Sequence, residues 1–109
     1  MISRVLTAWY LLLATGAAPA QTAFVTPELW DRPRSARAVL GEPAIKQSVQ
    51  AYLAQPAARI VIRHTPSRAL EAEELRSWLV ALAVEPQRLV LHGDLKPGAP
   101  LTIEVVPGP

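Results

Sequence analysis

The stretch IVIRHTPSRALEAEELRSWL, Ile60 to Leu79, passes from one periodicity to another, and that change decides the fold. Its first part lies within RIVIRH (Arg59 to His64), where consecutive β-branched residues are bounded by charge. Such a run predicts a strand covered on both faces. Thr65-Pro66-Ser67 then reads as a helix start, with Thr65 or Ser67 as N-cap. Beyond it Leu75, Trp78, Leu79 and Leu82 recur at helical spacing, predicting a buried stripe on a helix that runs to about Ala83. Glu73, Arg76 and Ser77 fall on its watered side. Glu71, Glu73 and Glu74 occupy early turns, where negative charge suits the positive end of the helix dipole.

Working outward, Glu42-Pro43 places a proline at a first helical position. Ile45, Val49, Tyr52 and Leu53 then form the apolar stripe of an earlier helix, which Pro56 ends. On the other side, Val84-Glu85-Pro86 turns the chain into the apolar strand RLVLH (Arg88 to His92). A polar loop, Gly93 to Pro100, leads to LTIEVV (Leu101 to Val106), whose alternation predicts a strand with Leu101, Ile103 and Val105 inward. Residues 107–109 are a tail. Residues 21–40 read as an extended segment, broken by Pro27 and Pro33, with Glu28 to Trp30 as a short first strand. The order β-α-β-α-β-β implies an α/β two-layer sandwich, with two helices on one face of a small mixed sheet.

Composition narrows the class. Met1 to Arg4 is a basic start, Val5 to Ala18 an apolar run, and Ala18-Pro19-Ala20 a small-x-small site, so residues 1–20 read as a Sec-type signal peptide cut before Gln21. The run is shorter than the about 20 residues a membrane helix needs, so no stable span is expected after cleavage. No cysteine follows the cut, which excludes lipoprotein anchoring. The chain has no cysteine at all, which removes disulfides, thiol chemistry and iron–sulfur clusters. Lys and Arg number 11 against 9 Asp and Glu, with the cations scattered. The basic stripe with interleaved aromatics of a nucleic-acid binder is missing.

His64 and His92 each end a predicted strand. Two crossovers would make those strands parallel and bring both imidazoles to the sheet's carboxyl edge, where α/β sheets hold ligands. Asp94 completes a His/His/Asp set, but its spacing matches no metal motif, and neither metal nor cofactor is expected. No nucleophile elbow, P-loop, dinucleotide fingerprint or zinc-protease helix occurs, so the chain reads as non-catalytic. Trp30, followed by Arg32 and Arg34, is the candidate partner-binding patch, since Trp and Arg concentrate at interface hot spots.

From about Glu28 to Val106 the chain resembles the OmpA-like, peptidoglycan-associated domain of bacterial envelope proteins. The resemblance rests on Pro43 with its helix, IVIRHT at Ile60 to Thr65, WLVALAVEPQRLVLHG at Trp78 to Gly93, and the closing LTIEV. It implies a periplasmic envelope domain whose Gly-His-Thr-Asp aspartate and following-helix arginine grip a peptidoglycan stem peptide. Here His64-Thr65 remain, Pro66 stands at the aspartate position and Glu71 at the arginine position. Such a site should reject a carboxylate. The expectation is therefore a degenerate OmpA-like module acting by protein–protein contact with an envelope partner. The rivals are a cell-wall tether binding through His64, Thr65 and Arg68, and a metal-dependent enzyme.

Overall fold

The computed structural model describes residues 20–108. In chain order its elements are β1 (Gln21–Phe24), a 3-10 turn (Pro27–Asp31), α1 (Ala36–Leu40) and α2 (Pro43–Leu53). There follow β2 (Arg59–Arg63), a 3-10 turn (Pro66–Arg68), α3 (Ala69–Ala81), a 3-10 turn (Pro86–Arg88), β3 (Leu89–His92) and β4 (Thr102–Val106). The expected signal peptide, except Ala20, lies outside the described residues.

The sheet has four strands in the order β1-β4-β2-β3. β4 runs antiparallel to both β1 and β2, whereas β2 and β3 are parallel. α2 packs on β1 and β4, and α3 on β2 and β3. This is the two-layer α/β arrangement expected from the element order, with a mixed sheet.

Alternation along the strands assigns the two sheet faces. Ile60 and Ile62 of β2 and Ile103 and Val105 of β4 are buried under the helices, as is Leu89 of β3. Val61 is only partly covered and Val90 is exposed, so β2 is not enclosed on both sides as its apolar run suggested. With both helices on one face, a β-branched run can fill one side and leave the other wet. Phe24, Val61, Arg63, Val90 and Glu104 share that open face by the two-residue period.

The N-terminal segment departs most from expectation. Glu28–Trp30 is no strand, because Pro27 opens a 3-10 turn and Leu29 drops fully into the core. The first strand is Gln21–Phe24, which carries little apolar alternation of its own. Residues 36–40 are helical: Ser35 Oγ accepts the Ala38 N–H at 3.1 Å, a side-chain cap the extended reading overlooked. Val25, Leu29 and Val39 all belong to the buried core, so residues 21–40 are integral to the fold.

The helices repeat the lesson in detail. α2 buries Ala44, Ile45, Ser48, Val49 and Tyr52, while Leu53 at its end is 61% exposed. α3 buries Ala72, Leu75 and Leu79, with Trp78 and Leu82 only partly covered. Neither Thr65 nor Ser67 caps α3. They bond each other instead, Oγ1 to Oγ at 3.1 Å, and the 3-10 turn after Pro66 feeds the helix directly.

α3 stops in a Schellman arrangement. Val84 N–H donates to Leu79 O at 3.0 Å and Ala83 N–H to Val80 O at 3.1 Å, which requires φ of 84° at Ala83. Glycine is the residue that adopts this conformation without penalty from a Cβ. Ala83→Gly is therefore expected to stabilise the fold by roughly 0.5–1 kcal/mol, read as a higher urea midpoint at unchanged m-value.

Candidate functional site

The turn joining β2 to α3 gathers His64, Thr65 and Arg68, the residues through which the rival cell-wall tether would bind. Parallel pairing of β2 with β3 brings their carboxyl ends to one edge, where His64 N–H donates to His92 O at 2.9 Å. The two imidazoles nevertheless diverge. His64 is buried with 8% exposure, whereas His92 is exposed with the open-face residues of β3. Asp94 is occupied by Arg63, Nη1 to Oδ2 at 2.6 Å. Among the described residues no three acidic, histidine or cysteine side chains converge as a metal site.

His64 is held as a structural group. A carbonyl oxygen only accepts, so the 2.6 Å contact with Thr65 O places the proton on Nδ1. The ring also lies over Gly93, where a Cβ would come within 2.9 Å of His64 Cε1. Leu95 N–H donates to His64 O at 3.1 Å and draws the β3–β4 loop over the same point. Sequence alone made His64 the end of a strand. In the fold it is the peg on which the turn and the loop are hung.

Thr65 is buried and its hydroxyl is engaged with Ser67. Arg68 pairs with Glu71 across one helical turn, Nη1 to Oε2 at 2.8 Å. The Arg68 guanidinium is thus already paired with an acid of its own helix start. The three candidates do meet in space, yet their polar groups face each other or the backbone.

The second candidate patch also turns inward. Trp30 packs against the core, and its indole N–H is buried without an acceptor among the described residues. Arg34 lies over the Trp30 ring, 5.7 Å from its centroid, and donates to Trp30 O and Arg32 O at 3.0 Å each. Its guanidinium grips Glu74 of α3 bidentately, at 2.6 and 2.8 Å. Trp78 Nε1–H adds a third bond to Glu74 at 3.1 Å. Arg32 stays exposed. Trp30 and Arg34 are the joint between the N-terminal segment and α3, in place of an outward anchor.

Three groups were missed from sequence. Arg63 bridges Glu104 at 3.1 Å and Asp94 at 2.6 Å on the open sheet face. Their alternation on neighbouring strands was a usable signal once the register was known. Glu42 is buried and accepts the Thr26 N–H at 2.6 Å, tying the N-terminal segment to the start of α2. A depression of about 220 Å³ lies between the end of α2 and the α3–β3 turn, lined by Tyr52, Leu53, Pro56, Ala83, Glu85 and Arg88. Its polar groups are spent locally, since Tyr52 OH accepts from Glu85 N–H at 3.2 Å and Arg88 donates to Pro56 O.

No helix among the described residues is long and apolar enough to cross a membrane. Family models, curated proteins and solved structures contain no match to the chain.

Two measurements check this geometry. Glu74 is held below the usual carboxylate range, chiefly by the Arg34 hydrogen bonds, with Trp78 and the Arg34 charge adding to them and burial opposing. A lowered native pKa gives stability that is present above the ordinary carboxylate range and disappears as pH falls through the native value. Glu74→Gln should therefore lower the urea midpoint at neutral pH, and the gap to wild type should close on acidification. Separately, Gly93→Ala should cost about 1–3 kcal/mol by forcing the His64 ring aside, read by denaturation and by shifted His64 imidazole NMR signals.

Proposed function

We propose that the chain is a small exported module of the bacterial cell envelope, OmpA-like in descent but degenerate at its ligand turn, that works by non-catalytic protein–protein contact. The observation that carries this reading is the Arg68–Glu71 pair at the β2–α3 turn. In the family resembled, that turn offers an acid and a guanidinium to the two charged ends of a wall peptide. Here Pro66 offers neither charge, and an incoming carboxylate must displace Glu71 from Arg68. Displacing an existing partner gains little when the new pair resembles the old one.

Export is supported by the leader pattern. A cut after Ala20 would leave Gln21, the first residue of β1, at the amino terminus. The partner reading is supported by the open sheet face, which carries Phe24 at 64% and Val90 at 38% exposure. The wall-tether rival draws on the gathering of His64, Thr65 and Arg68 in one turn, and it makes the opposite prediction.

Sedimentation with purified sacculi separates the two readings. The wild-type protein should remain in the supernatant, while the double variant Pro66→Asp with Glu71→Arg should move partly into the pellet. Wild-type protein that pellets, and stops pelleting as Arg68→Ala, would overturn the proposal in favour of the tether.

A further inference from the structure

β1 is an edge strand, and its register states which of its backbone groups are free. Val25 N–H donates to Leu101 O at 2.9 Å, and the ladder pairs Ala23 with Ile103 and Gln21 with Val105. In an antiparallel pair, residues facing the neighbour alternate with residues facing away. Gln21, Ala23 and Val25 therefore spend their backbone groups on β4. Thr22 and Phe24 turn theirs outward, along an edge that no other described strand covers.

Natural sheets blunt such edges with charge, proline or a bulge. Gln21-Thr22-Ala23-Phe24 has no charged side chain, proline or bulge, so its four-residue length is the one blunting device it has; its ladder to β4 is regular over all four residues. Phe24 stands beside the edge on the open face, 64% exposed. The opposite edge differs: β3 follows directly on the Pro86–Arg88 turn, and its exit is tied back to β2 through Leu95 and His64.

We infer that β1 pairs with β1 of a second copy of this chain, antiparallel about a two-fold axis at Ala23. The outward-facing residues sit symmetrically on either side of Ala23, so Thr22 of each copy meets Phe24 of the other. Every free donor along that edge then finds a free acceptor, giving four backbone hydrogen bonds and one continuous sheet. Self-pairing brings charged side chains on a strand close to their symmetry mates, and no side chain of β1 is charged; the amino group that cleavage would leave at Gln21 falls opposite Val25 of the other copy, away from its own mate. Each Phe24 ring covers the other copy's Thr22 on the open face. Strands this short bury less than the about 1,200 Å² of a standard interface, so the dimer is weak and concentration-dependent. The inference rests on the interaction reading above and specifies one surface for it.

Sedimentation equilibrium of the purified protein over a concentration series tests this. Wild type should show a monomer–dimer equilibrium. Thr22→Pro removes only an outward N–H, so it should weaken association by roughly thirtyfold at a nearly unchanged melting temperature. Phe24→Lys, at an exposed side chain, should also dissociate the dimer, and it serves if Thr22→Pro disturbs folding. Ala23→Pro, which removes an inward N–H, should instead lower the melting temperature. Wild type that stays monomeric up to millimolar concentration, or dimers that persist in Phe24→Lys, would overturn the inference. A monomer that cross-links through β1 to a different envelope protein would also overturn it, while leaving the proposed function standing.

Discussion

The sheet closes only when its last strand enters between two earlier ones. β4 is hydrogen-bonded to β1 on one side and β2 on the other, and its Ile103 and Val105 are almost wholly buried. Until residues 102–106 arrive, β1 has no partner and β2 has only β3. Both β4 pairings are distant in sequence, so their loop-closure entropy falls due before the contacts reward it. Such a chain stays open until β4 is made. The absence of cysteine has the same bearing. With no disulfide to restrict the unfolded chain, closure depends on the apolar face that β4 completes.

The second organising feature is the pairing of arginine with acid across elements. Arg34 joins the N-terminal segment to α3 through Glu74, and Arg63 joins β2 to β4 and to the β3–β4 loop. Arg68 closes on Glu71 at the head of α3. All are partly exposed, where an ion pair adds little to stability by itself. At the carboxyl rim of the sheet Arg63 and Arg68 already hold anions, so a new acid there must displace Asp94 or Glu71.

How far the fold was legible in sequence depended on whether the signal was local. α2 and α3 announced themselves through Pro43 and the Leu75–Leu79 stripe, and β2, β3 and β4 through runs of Ile, Leu and Val. β1 did not, because Gln21-Thr22-Ala23-Phe24 becomes a strand only when β4 offers it a ladder. The turn at Pro27–Asp31 was mistaken for a strand for the converse reason: Leu29 and Trp30 are apolar for the core's sake, whatever backbone carries them. Even burial on β2 was misjudged, since Val61 is β-branched to suit a pleated surface that happens to be open.

The candidate site was legible as a place and illegible as a mechanism. His64, Thr65 and Arg68 stand together because a strand end, a proline and a helix start are contiguous in the chain. What those groups do was set by partners beyond the motif: the Thr65 carbonyl for His64, Glu71 for Arg68, and Gly93, whose missing Cβ makes room for the imidazole. A histidine whose Nδ1–H is fixed by its own neighbour's carbonyl, and whose ring fills the space over a glycine, is bound to the scaffold on two sides. Such a ring gives the β2–α3 turn its shape. The turn therefore accounts for His64 and Thr65 by structure alone: the imidazole and the hydroxyl are both engaged within it, and neither needs a ligand to explain its place.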